Sequence, residues 1–123
     1  MIAGIGIDIV EVSRMEKSLQ REGFKSLVFS PEEQAYCDKQ QKPAEHYAAR
    51  FAAKEAFLKA AGVGLQAGLT LCDIEIVKDT LGKPMMALHR DFSSLAKKHH
   101  WDKIHVSLSH TATMATAYVI IER

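Results

Sequence analysis

IHVSLSHTATMATAYVII, Ile104–Ile121, is the stretch whose reading decides the fold class. Its first part alternates as IHVSLS through Ser109, and from Ala115 to Ile121 it continues as a β-branched and aromatic run. The pattern predicts two adjacent antiparallel strands joined at HTAT. Upstream, Asp73–Lys78 alternates around Ile74 and Ile76, DTLGK supplies a turn, and Pro84–Leu88 predicts the returning strand of a hairpin. A helix over Asp91–His99 separates the two pairs. At the far end, MIAGIGIDIV, Met1–Val10, predicts a short buried strand that carries Asp8 near its C-terminal end.

Between these strands the periodicity changes to helical. Val12, Met15 and Leu19 share one face of a segment running from Glu11 to Glu22 and closed by Gly23, while Arg14, Lys17 and Arg21 lie on its other faces. Ser30, Pro31 and Glu33 combine a capping serine, a first-turn proline and a glutamate three residues after the cap, so a helix follows to about Gln40. Pro43 opens a longer alanine-rich helix through Ala61, with Gly62 as its stop. Gly62, Gly64 and Gly68 then read as a mobile, close-packed loop. Together these elements predict an α+β fold, a mainly antiparallel sheet packed by helices on one side.

The chain has 123 residues, 47% hydrophobic and 25% charged, which predicts one globular domain over residues 1–123. No apolar stretch is long enough to span a bilayer and no cationic leader precedes one, so a cytoplasmic protein with no membrane partner is expected. Sixteen basic and fifteen acidic residues leave a net charge of +1, which argues against a general nucleic-acid binder. Cys37 and Cys72 stand alone, without the spacing of a disulfide framework or a zinc site.

The densest chemistry lies in RFAAKEAFLKAAG, Arg50–Gly62, where Phe51, Glu55 and Lys59 follow one another at four-residue steps and Arg50 and Lys54 form the adjacent row. Alone, the pattern is also that of an ion pair on a solvated helix face. Beside it, Asp8 at a strand end could converge with Glu55 on a hard cation. Two carboxylates are too few for a closed cage, but they suit Mg²⁺, which completes its octahedron with water and substrate phosphate oxygens. Asp8 reads equally well as a helix cap or as a partner for a nearby cation. Ser107, Ser109, His110, Thr111 and Thr113 gather phosphate-binding donors at a strand end, although such residues also satisfy turns. The glycines of GIG lack the third member of a dinucleotide fingerprint, and no P-loop, GxSxG elbow or HExxH is present.

GIGIDIVE near the start, FAAKEAFLKA in the middle, then GKP and SLSHT, taken in that order across nearly the whole chain, closely resemble the holo-[acyl-carrier-protein] synthases, the small phosphopantetheinyl transferases. The resemblance implies transfer of the phosphopantetheine arm of coenzyme A to a serine of apo acyl carrier protein, with Asp8 and Glu55 holding Mg²⁺ against the diphosphate. It implies that Lys54 and Lys59 bind phosphate or act in catalysis, and that Lys83, Pro84, Ser109 and His110 contact the adenosine and its ribose phosphate. It extends the donor-binding set to Arg50, Gly62 and Thr111. A homotrimer is also implied, each coenzyme A lying between neighbours. The base that takes the serine proton is Glu55 or a water near the metal, and the residues leave both open. An acidic carrier protein would dock on Arg14, Lys17 and Arg21. The alternative is a non-catalytic coenzyme A or nucleotide-binding module on the same scaffold.

Overall fold

The computed structural model of the chain describes residues 1–65 and 69–123; of the predicted glycine loop, Gly68 lies outside them. The element order is β1 (Ile2–Glu11), α1 (Val12–Leu19), α2 (Phe24–Val28), α3 (Pro31–Asp38), α4 (Pro43–Ala61), a 3₁₀ turn at Leu71–Asp73, β2 (Ile74–Lys78), β3 (Pro84–Leu88), α5 (Arg90–His99), β4 (Lys103–His110) and β5 (Met114–Glu122). The α+β reading holds, with every described strand pair antiparallel. The strands form two sheets, a three-stranded one ordered β1-β5-β4 and the β2-β3 hairpin.

Helix α4 is the centre of the molecule. It packs across the three-stranded sheet on one side and against α1, α3 and β2 on others. That central position explains its composition: Ala48, Ala52, Ala53 and Ala56 are fully or almost fully buried, and small side chains let neighbours approach closely. Its end is the predicted one, since Gly62 adopts φ +71 and its N–H donates to the Leu58 carbonyl at 2.9 Å. The start of α3 is equally local in origin: Ser30 Oγ accepts from the Glu33 N–H while the Glu33 carboxylate accepts from the Ser30 N–H.

Two predictions fail for physical reasons. The helix expected to run to Glu22 stops at Leu19, and after Gly23 in the left-handed region a separate short helix, α2, forms. A buried β1 was also expected, yet Ile5, Ile7 and Ile9 are 57%, 58% and 65% exposed. The strand is turned over: Gly4 and Gly6 face α4, and a Cβ on Gly6 would stand 2.0 Å from the Ala56 carbonyl oxygen. Helix and strand backbones are in contact there, so no side chain fits between them, and the isoleucines are left on the outer face of the sheet.

Candidate active site

Close contact of β1 with α4 brings the two carboxylates together. Asp8 sits two residues beyond Gly6 on the inner side of β1, and Glu55 lies one position before Ala56 on α4. Both line a cleft of about 450 Å³, whose apolar wall includes Met15, Phe51 and Phe24 and whose rim includes Arg14 and Arg21. Lys59, one turn after Glu55, donates to Asp8 Oδ1 at 3.0 Å and to the Ile7 carbonyl at 3.0 Å. Asp8 is held from the other side as well, because Thr116 Oγ1 on β5 donates to its carbonyl at 2.8 Å. Burial raises the Glu55 pKa above the usual carboxylate range, and the Asp8 charge raises it further, against an opposing pull from Lys59.

Asp8 and Glu55 bring like charge into one cleft, and among the described residues Lys59 forms an ion pair with Asp8 but not with Glu55, which leaves Glu55 short of a positive partner. A hard divalent cation with oxygen preference would answer that shortage. Among the described residues no group of three or more His, Cys, Asp or Glu side chains could hold a metal ion, so most of any coordination shell would be water and substrate.

A second cleft, about 240 Å³, is lined by Tyr36, His46, Arg50, Lys78, Pro84 and His110. Its walls come from α3, α4, the β2-β3 hairpin and the end of β4. Arg50 is buried, its guanidinium lies over the Tyr36 ring at 4.2 Å, and its Nε has no hydrogen-bond partner among the described residues. Lys78 reaches the same tyrosine, 2.5 Å from its hydroxyl. His110 Nδ1 is 2.9 Å from Glu45, and the His46 ring meets the His110 ring edge-on with centroids 4.8 Å apart. Burial lowers the His46 pKa below the ordinary imidazole value, and His110 and Arg50 lower it further. Cationic groups that repel one another around an unpartnered buried guanidinium N–H make a receptor for an anion.

The structure therefore gathers Asp8 and Glu55 at one cleft, with Lys59 bonded to Asp8 though not lining it, and Arg50, Pro84 and His110 at the other. Lys83 is exposed in the hairpin turn beside Pro84, and exposed Ser109 and Thr111 flank His110. Gly62 is where α4 ends and contributes its backbone conformation. Arg14 and Arg21 rim the first cleft, whereas exposed Lys17 does not line it. Lys54 is a correction. Its side chain is fully buried, its ammonium bonded to Glu33 at 2.8 Å and to the Leu71 and Ile74 carbonyls, so it has no donor left for a phosphate. Sequence reading missed Tyr36, His46 and Lys78, which lie on three different elements and share no spacing. It also read Glu33 only as a cap.

Residues 4–119 match the 4'-phosphopantetheinyl transferase superfamily. A holo-[acyl-carrier-protein] synthase of Syntrophus aciditrophicus is 47% identical over 124 residues, covering 99% of this chain and 97% of that one. The crystal structure of holo-[acyl-carrier-protein] synthase from Neisseria meningitidis superposes with a TM-score of 0.90 at 33% identity, covering all of both chains. That of a Bacillus anthracis holo-(acyl-carrier-protein) synthase in complex with CoA (3',5'-ADP) superposes at 0.80, with 35% identity over 99% of this chain and 97% of that one. Agreement of this extent, in sequence and in fold from end to end, makes the chain a member of the 4'-phosphopantetheinyl transferase superfamily, among its small holo-[acyl-carrier-protein] synthases.

Proposed function

We propose that the chain transfers the phosphopantetheine moiety of coenzyme A to a serine hydroxyl of apo acyl carrier protein, giving holo carrier protein and adenosine 3',5'-bisphosphate. The observation that carries this reading is the meeting of Asp8 and Glu55 in one cleft, with Lys59 on Asp8 and cationic Arg14 and Arg21 at the rim. Coenzyme A has a diphosphate and a separate ribose phosphate; the first cleft would take the diphosphate through a cation on its carboxylates, and the second offers Arg50 and Lys78 to an anion directly. The serine oxygen attacks the β-phosphorus, the bond from that phosphorus to the bridging oxygen breaks, and the hydroxyl proton leaves the acceptor. Asp8 and Glu55 would hold Mg²⁺, which when bound supplies the charge that neutralises the diphosphate oxygens.

The chain's own residues do the rest. Lys59, exposed and able to leave Asp8, offers a donor to the oxygens on which charge develops. Arg50, His110 and Pro84 would receive the adenosine bisphosphate end, with Arg50 Nε offering its free N–H to the ribose phosphate. Glu55, whose proton affinity is raised by burial and by Asp8, is a suitable acceptor for the serine proton while no cation compensates it. A water beside the site is the other candidate acceptor for that proton. Arg14 and Arg21, with Lys17 beyond them, give an acidic carrier a complementary approach to the cleft.

The outer face of the sheet supports a homotrimer. Ile5, Ile7 and Ile9 on β1 and Tyr118 on β5 are exposed side by side, an apolar patch that association would cover. Contact through that face would also let clefts of neighbouring copies share one donor. Incubation with coenzyme A, Mg²⁺ and apo carrier protein tests the function: the carrier gains the mass of phosphopantetheine. Asp8→Asn and Glu55→Gln should each lower the rate on the order of a hundredfold or more while the protein stays folded. A carrier of unchanged mass under every metal condition refutes the transferase.

A further inference from the structure

Lys54 precedes Glu55, yet a step of about 100° round α4 turns it into the core and into a different structure. Its ammonium donates to Glu33 Oε1 at 2.8 Å, to the Leu71 carbonyl at 2.9 Å and to the Ile74 carbonyl at 2.6 Å. The other Glu33 oxygen accepts from the Ile76 N–H at 2.9 Å. Among the described residues β2 pairs with β3 alone, so its second edge has no strand beside it, and two charged side chains from α3 and α4 satisfy that edge instead. The chain of contacts continues outward. Ser30 Oγ donates to Glu75 Oε2 on β2 at 2.6 Å, and Glu75 Oε1 is 2.8 Å from His89 Nε2 at the start of α5. The His89 N–H closes the far end on the Asp73 carbonyl at 2.9 Å.

We propose that Lys54, Glu33, Ser30, Glu75 and His89 form a positioning network that fixes the β2-β3 hairpin at a set height against α4 and so aligns the two halves of the second cleft. One half, Arg50, rides on α4, and the other, Lys78 and Pro84, rides on the hairpin. Apolar side chains could fill the same space. They would pack the hairpin without specifying where along α4 it stops, whereas a buried ion pair with directed hydrogen bonds accepts one register. Burial itself weakens Lys54's hold on its proton and the Glu33 carboxylate opposes this, so the two partners depend on each other. Glu75 is likewise kept ionised: burial works against its charge, but the Ser30 and His89 hydrogen bonds outweigh it.

The proposal rests on the second cleft being the site of the donor's adenosine bisphosphate end. Ser30→Ala cuts the link between Glu33 and Glu75, Ser30→Thr keeps the hydroxyl, and the paired variant Lys54→Met/Glu33→Gln removes both inner charges at nearly constant shape. The measurements, made below each variant's thermal midpoint, are KM for coenzyme A, KM for carrier protein and Kd for adenosine 3',5'-bisphosphate by calorimetry. The expected result is a rise of about tenfold in both donor constants with the carrier KM within about twofold, and recovery in Ser30→Thr. A role in stability alone would lower the midpoint and leave the donor constants where they were. Folded Ser30→Ala with unchanged donor constants overturns the proposal, as does an equal loss toward donor and carrier; this variant decides the matter if the paired one does not fold. Wild-type protein that neither binds the bisphosphate nor modifies the carrier removes the functional reading itself, which unaltered variants beside a working wild type do not.

Discussion

Asp8 and Glu55 carry like charge into one cleft, and His46 sits in the other among groups that could each be positive. The two situations titrate in opposite directions. Glu55 gains proton affinity because its charge is unwelcome, and His46 loses it because burial, His110 and Arg50 all oppose imidazolium. A histidine harder to protonate when folded contributes stability that is present above its unfolded pKa, about 6.5, and is lost as pH falls below it. The thermal midpoint of the ligand-free protein should therefore fall between about pH 7 and pH 5, and in His46→Gln it should fall less steeply. Parallel melting curves recorded across that range check the sign. Equal slopes would mean that His46 protonates as freely in the folded chain as in the unfolded one.

At the scale of elements, the contact between β1 and α4 is the one on which the first cleft depends. Gly4 and Gly6 allow backbone to approach backbone; a Cβ at Gly4 would lie 1.9 Å from the Ala60 carbonyl oxygen, and one at Gly6 would crowd Ala56 equally. Since the obstacle is helix backbone, it cannot rotate away, and α4 would have to move off the sheet. Gly6→Ala should cost about 3 kcal/mol of stability, the upper part of the usual range for overpacking. Because Asp8 is two residues along and Glu55 is beside Ala56, activity should fall further than stability alone predicts. Denaturant melts and transfer rates measured on the same preparation separate the two effects. A variant that melts normally and works normally would show that the strand and helix have more slack than their spacing implies.

The whole molecule presents two surfaces that ask for partners. One is the apolar outer face of Ile5, Ile7, Ile9 and Tyr118. Ile7→Glu would put a carboxylate at its centre, and burying an unpaired charge is costly enough to dissociate an assembly held there. If the proposed trimer forms through this face, sedimentation should show a smaller species for Ile7→Glu than for the wild type, with activity lost if neighbouring copies share the donor. The other surface is the cationic rim of the first cleft. Reversing Arg14 and Arg21 to glutamate should raise KM for an acidic carrier on the order of tenfold at low ionic strength and less at high salt, with KM for coenzyme A little changed. Salt-independent kinetics would place the acceptor elsewhere.

Local rules made much of this legible in the residues. Capping by Ser30 and Glu33, the left-handed stop at Gly62, the turn before Gly82 and the alternation of β4 and β5 all depend on neighbours in sequence, and each forms where expected. That Asp8 and Glu55 could converge was legible too, from a carboxylate at a strand end and another on the long helix, and both line one cleft. What the residues could not decide by themselves is which way an element faces. A strand of alternating glycine and isoleucine has two faces, and only the arrival of α4 turns the glycines inward and the isoleucines out. Lys54 and Lys59 look alike along the helix, but five residues is well over a full turn, so one ammonium enters the core to meet Glu33 while the other stays at the surface beside Asp8. The second cleft is likewise a product of tertiary structure, since Tyr36, His46, Lys78 and His110 have no common period and meet because α3, α4, the hairpin and β4 end in the same place. Periodicity and caps are properties of a segment, whereas burial and charge pairing are properties of the space between segments.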